Sequence, residues 1–301
     1  MADVLKLGMI GLDTSHVTAF TKLLNDPAQQ YHIPGGKVVV GFPGGSPDFE
    51  LSISRVQGFT DELSQQYQVA IVESPEEVAE LSDAIFLESA DGRVHLEQFR
   101  RIAPYGKPVF VDKPFAVTTE DAREMIQLAK QYHVPLMSCS ALRYAEGLKE
   151  AIAAGGEEAI IGADTFGPMA IVPPIPGYFW YGIHSAEMLF AILGKGCKRV
   201  TTYTSEDHDI IVGEWADGRK GTVRGNRKGN NSFGATIHFE KSTKFADVYA
   251  NPKPYYASML EVVMELFQKG IQPIDLEETL EIVRFLEAAN ESRETGLTVI
   301  L

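Results

Sequence analysis

The stretch "KLGMIGLDTSHVTAF", residues 6–20, decides how the chain is read. A short apolar run leads through Gly8 to a tight turn at Gly11, and a helical pattern follows. This is the opening of a dinucleotide-binding βα unit, whose G-x-G-x-x-G pattern sets a pyrophosphate on the helix N-terminus. The first glycine is kept, and Asp13 and His16 stand where the second and third belong. The middle glycine lets the backbone approach the phosphates, and the last lets helix and strand pack closely. Asp13 therefore sets a negative charge beside two phosphates, unless its side chain turns back to cap the helix, where aspartate is a preferred residue. Gly11, Thr14 and Ser15 still offer amides and hydroxyls to an anion, and a protonated His16 offsets part of the charge. The other reading uses Asp13 and His16 directly, on substrate or metal. A lone Asp-x-x-His is a weak metal signal, and no metal-ligand set is read from the sequence.

Outward from this turn, strand and helix alternate. "HVTAFTKLL" is helical, with Val17, Phe20, Leu23 and Leu24 on its apolar face; "KVVVGF" is a second strand, "FTDELSQQY" a helix and "VAIV" a short strand. "SPEEVAEL" begins a helix with Ser74 as N-cap and Pro75 at the first helical position. "DAIFLES", "PVFVDKP" and "VPLMSCS" are further strands, separated by "VHLEQFRRIAPY" and "TTEDAREMIQLAKQYH". This rhythm implies right-handed crossovers and a parallel sheet covered on both faces. After about residue 160 it changes. "RVTTYTSE", "HDIIVGEWADG", "KGTVRGN", "GATIHFEKS" and "FADVYA" are strand-like, with Asp217-Gly218 as a hairpin turn, and two amphipathic helices close the chain. The expected fold is α/β: a Rossmann-type doubly wound domain over 1–118, then an α+β domain over 119–301 with a large, mostly antiparallel sheet. The C-terminal helix of the second is free to pack back on the first.

Composition narrows the function. The 301 residues carry a net charge of −14 and no long basic run, which argues against nucleic acid or an anionic membrane as partner. No apolar stretch is long enough to span a bilayer. Two cysteines, Cys139 and Cys197, do not make a disulfide framework, so a cytoplasmic location is expected. Apolar residues on both faces of "DIIVGEW" and "GATIHF" predict a homo-oligomer built by sheet-to-sheet contact.

Two segments carry chemistry. "VFVDKP" ends a strand in Asp112-Lys113-Pro114, at the carboxyl end where doubly wound sheets hold their sites. "YFWYGIHSAEMLFAILG" leads from a glycine turn into His184 near a helix start, where the helix dipole disfavours the cation and leaves a neutral base. In one order along the chain, "DAIFLESADGRVHLEQFRRIAPYGKPVFVDKP", "SALRYAEGLKEAI", "YGIHSAEMLFAILG" and the C-terminal "GIQPIDLEETLEIVRFLEAANESRETGLTVIL" resemble the Gfo/Idh/MocA family of sugar- and inositol-type oxidoreductases.

The resemblance implies NAD or NADP as cofactor and a small carbohydrate as substrate. Lys113 would hold the reacting hydroxyl and lower its pKa, and His184 would take its proton. Ser89, Ala90 and His95 would lie along the cofactor with the opening turn, Asp112 would lie near the nicotinamide, and Arg143 would approach cofactor or substrate. Three departures mark this chain. Trp180 replaces the family's third catalytic residue, an aspartate, and leaves Tyr181 next door as the nearest hydroxyl. Phe42 and Pro43 stand where an acid usually reads the adenosine ribose. The fingerprint glycines are replaced. Hydride transfer to or from a secondary alcohol is the leading reading. A non-redox ligand-binding or regulatory protein, or a lyase or isomerase, is the alternative.

Overall fold

The computed structural model describes residues 4–301, which fold as two compact units. One takes the chain through Ala116, then Glu120–Cys139 and Tyr256–Leu276; the other takes Val117–Thr119, Ser140–Tyr255 and Glu277–Leu301.

In the first unit β1 (Leu5–Ile10), α1 (Ser15–Asn25), β2 (Gly36–Phe42), α2 (Glu50–Tyr67), β3 (Ala70–Ile71), α3 (Pro75–Leu81), β4 (Ala84–Leu87), α4 (His95–Ile102), β5 (Val109–Val111), α5 (Thr119–Tyr132) and β6 (Leu136–Ser138) follow one another. The strands form a parallel sheet in the order β3-β2-β1-β4-β5-β6, the arrangement of a doubly wound nucleotide-binding domain. β4, β5 and β6 are buried at every residue, which is why they read as unbroken apolar runs. Ser74 caps α3, accepting from the Glu77 amide as expected. α2 starts at Glu50, earlier than the sequence suggests. Its first half buries only Ser52, so no apolar stripe announces it.

The second unit holds α6 (Glu146–Ala153), β7 (Ile160–Pro168), α7 (Gly182–Leu193), β8 (Cys197–Thr204), β9 (His208–Trp215), β10 (Lys220–Asn226), β11 (Gly234–Phe239) and β12 (Thr243–Asp247). After α8 (Tyr255–Lys269), α9 (Leu276–Thr295) and β13 (Val299–Ile300) complete it. The sheet order is β12-β11-β7-β10-β9-β8-β13, with β7 and β10 parallel and the other pairs antiparallel. β7 has no counterpart in the sequence reading, because Gly162, Asp164 and Gly167 interrupt its strand pattern. On β9, Asp209, Ile211, Gly213 and Trp215 are buried on one face, where Phe190 of α7 lies 5.5 Å from the Trp215 ring and 5.6 Å from Phe285 of α9. The opposite face carries half-buried Ile210, Val212 and Phe166 with Tyr203 and Phe245, both 64% exposed.

Relative to a boundary at 118/119, the first unit keeps more of the chain and also reclaims α8. Pairing explains the first difference, since β6 is hydrogen-bonded to β5. Ring packing explains the second: Phe267 of α8 meets Phe86 of β4 at 5.0 Å. No helix among the described residues is long and apolar enough to cross a membrane.

Candidate functional site

The β1–α1 turn extends the β1–β2 pairing by two bonds, from Gly11 N–H to the Phe42 carbonyl at 2.9 Å and from Leu12 N–H to the Pro43 carbonyl at 2.7 Å. Gly11 has φ +87°, and a Cβ there would overlap the Ser89 backbone. The one retained fingerprint glycine therefore does what only glycine allows. Thr14 is the N-cap of α1, and Ser15 is its first residue.

Asp13 neither caps the helix nor stands open. Its carboxylate is buried and accepts from the Ala90 amide at 2.9 Å and the Ser52 hydroxyl at 2.5 Å. Burial raises its pKa against the pull of those bonds. An Asp13 charge facing phosphate is thus corrected. The early start of α2 brings Ser52 within reach, and the side chain fastens the β1–α1 turn to the first turn of α2 and to the loop after β4.

The loop after β4 is equally committed. Ser89 is buried and donates to Gln98 Oε1 at 2.8 Å, while Ala90 is buried and spends its amide on Asp13. His95 has no exposure, with Nε2 2.8 Å from the Ser89 carbonyl and Nδ1 3.2 Å from that of Phe115. Among the residues expected along a cofactor, these three hold the loop's shape.

At the carboxyl ends of β1, β4 and β5 lies an ionisable cluster. His16 Nδ1 is 2.8 Å from Asp112 Oδ2 and 3.8 Å from Glu88 Oε2, and Lys113 Nζ is 3.9 Å from Asp112. The His16 ring stacks on Phe20 at 5.4 Å and meets the edge of Tyr256 at 5.2 Å. Burial pushes the Glu88 carboxyl well above the usual range, and the Asp112 charge adds to that. Burial would also raise Asp112, but the charges of His16 and Lys113 overcome it and hold Asp112 low. The sequence reading passed over Glu88. The signal was a charged residue directly after the buried strand "AIFL".

In the second unit, His184 is the third residue of α7 and Tyr181 its N-cap. His184 Nδ1 lies 2.7 Å from Ser140 Oγ. The rings of Tyr181 and Phe233 each stand edge-on to the imidazole at 5.6 Å, and Trp180 flanks Tyr181 at 6.2 Å. Ser140 gives the imidazole the side-chain partner that Trp180 cannot. No spacing in the sequence ties it to His184, 44 residues away. Arg143 is engaged inside the unit, donating from Nε to Glu187 at 2.9 Å and from an outer guanidinium nitrogen to Glu278 at 2.5 Å. Burial raises the Glu187 carboxyl, against the pull of the Arg143 charge.

Residues 47–139 match the model of an oxidoreductase family with an NAD-binding Rossmann fold, GFO_IDH_MocA. A 1,5-anhydro-D-fructose reductase from Ensifer adhaerens is 27% identical over 180 residues, covering 55% of this chain. That match spans about half of the relative's length, 52%. Two solved structures share the fold across the chain. Myo-inositol 2-dehydrogenase from Lactobacillus plantarum has TM-score 0.80 at 15% identity, covering 99% of this chain and 100% of its own. Myo-inositol dehydrogenase from Lactobacillus casei, in complex with NAD(H) and myo-inositol, has TM-score 0.76 at 15% identity, covering 99% and 97%. The matched segment, residues 47–139, is thus similar to the Gfo/Idh/MocA family of oxidoreductases, and the two-unit fold is shared with these solved structures.

Proposed function

We propose that the chain is an NAD(P)-dependent oxidoreductase acting on a secondary alcohol of a sugar, polyol or related small carbohydrate. The observation that carries this reading is the β1–α1 turn. A six-stranded sheet in dinucleotide-binding order ends β1 in a glycine at φ +87°, directly before a capped helix N-terminus. Such a terminus offers amides and dipole to a pyrophosphate. Gly11, Thr14 and Ser15 would hold it, with Asp13 and His16 shaping the turn. Asp13 does not oppose the binding by open charge, since it is buried against Ser52 and Ala90. The dinucleotide, when bound, supplies the hydride carrier. In this reading Lys113 holds and polarises the reacting hydroxyl, and His184 receives its proton. Ser140 engages the imidazole at Nδ1, with Tyr181 beside the ring. The carbohydrate class follows the names of the relatives.

A second reading, a non-redox ligand-binding protein, lyase or isomerase, is favoured by the carboxylates of Glu88 and Asp112 at the strand ends and by Trp180 in place of an acid. Fluorescence titration of the purified chain separates the two. Saturable quenching or energy transfer with NADH or NADPH is expected, and no binding of either dinucleotide would move the second reading ahead.

Self-association belongs to the same proposal. The face of the large sheet bearing Tyr203 and Phe245 is apolar enough to pair with a second copy. Light scattering at micromolar concentration should give at least a dimer mass; a monomer there refutes the assembly.

A further inference from the structure

We propose that His16, Glu88 and Asp112 form a binding site for one divalent transition-metal cation at the carboxyl end of the parallel sheet. The three residues come from neighbouring strand ends. Glu88 and Asp112 directly follow β4 and β5, and their amides continue the ladder by donating to the Ile10 and Leu87 carbonyls at 2.7 and 2.8 Å. His16 is the second residue of α1, which follows β1 through the glycine turn. One potential ligand atom from each lies within 4.8 Å of the others. A cation bound at about 2.0–2.2 Å by imidazole and carboxylate holds neighbouring donors roughly 3 Å apart. The 2.8 Å and 3.8 Å separations from His16 Nδ1 need only side-chain adjustment to meet that.

The second observation is Glu88 itself. Its side chain has no exposure, and neither carboxylate oxygen has a hydrogen-bond partner among the described residues. A buried carboxylate in that state is costly and calls for a reason. Glu88 Oε2 lies 3.8 Å from His16 Nδ1, the same nitrogen that is 2.8 Å from Asp112 Oδ2. A cation at this point would satisfy Glu88 and neutralise the pair of acids at once. Lys113 opposes it with one positive charge 3.9 Å from Asp112, but two ligand carboxylates outweigh one ammonium, and buried Asp13 adds to the negative side.

The donor set names the metal class. One imidazole and two carboxylates suit Mn²⁺, Fe²⁺ or Zn²⁺ better than an all-oxygen ion such as Ca²⁺. Three protein ligands also leave coordination positions for water or a substrate oxygen. The aromatic contacts of His16 with Phe20 and Tyr256 hold its ring in the required orientation.

The proposal stands apart from dinucleotide use, and its test contains no dinucleotide. The chelator-treated chain is titrated with Mn²⁺, followed by loss of the free-ion electron paramagnetic resonance signal, and with Zn²⁺ by calorimetry. One equivalent per chain is expected, with a rise in melting temperature. Glu88→Gln keeps the shape of the neutral acid and so keeps the fold, yet it should weaken binding by more than about tenfold, the least that loss of even an outer-shell partner costs. His16→Gln should do the same. Equal binding by the parent and both variants, or no binding by the parent, overturns the site. Neither result bears on the NADH titration.

Discussion

Lys113→Met is expected to reduce turnover by about 10²–10⁴-fold, the range that a positioned proton-handling group contributes. Lys113 directly follows Asp112 at the end of β5, and its side chain is 10% exposed. Methionine fills similar length without the charge, so the chain should still fold, at a stability cost of about 1 kcal/mol. Circular dichroism checks the fold, and absorbance at the reduced-nicotinamide band follows turnover with the polyol or anhydro-sugar that gives the highest rate. An active Lys113→Met variant sinks the assignment. In the same assay Ser140→Ala should leave turnover measurable but move its pH profile, because it removes the 2.7 Å partner of the His184 imidazole. An unmoved profile would make Ser140 a packing residue only.

Arg143→Met should destabilise the second unit by about 3–5 kcal/mol, the loss seen when one partner of a buried ion pair is removed and the other is left charged. The guanidinium holds two carboxylates, Glu187 and Glu278, and the Glu187 side chain is only 4% exposed. Without Arg143, Glu187 must either bury an uncompensated charge or take up a proton. Trp180 and Trp215, the two tryptophans of the chain, both lie in this unit, so their emission during urea unfolding reports its stability. The resemblance assigns Arg143 to cofactor or substrate instead. Under that role, stability would change little and dinucleotide affinity would fall. The two outcomes are opposite in kind, and one protein preparation tests both.

How far the sequence could be read follows from the range of each interaction. Strand and helix alternation is local. The buried runs "AIFL" and "VFV" and the Ser74-Pro75 start of α3 report the layout of the parallel sheet without help from distant residues. The same holds for Gly11, whose turn depends on a backbone conformation open to few other residues. Locality also explains the misses. The first half of α2 and the central strand β7 bury few apolar side chains at a regular period, so pairing and packing decide them.

The candidate site divides along the same line. From sequence alone came the order of elements, the place of Lys113 at a strand's carboxyl end and of His184 at a helix start, and the replacement of two fingerprint glycines. What Asp13, His16 and Arg143 do was decided by tertiary structure. Asp13 meets Ser52 and Ala90 across 39 and 77 residues, and His16 meets Asp112 across 96. Arg143 meets Glu278 across 135. A charged side chain takes whichever partner the fold brings within hydrogen-bond reach, because burial penalises any charge left alone. Residue type and spacing therefore place the backbone of this site, while the directions of its charges are set only when the strand ends and loops come together.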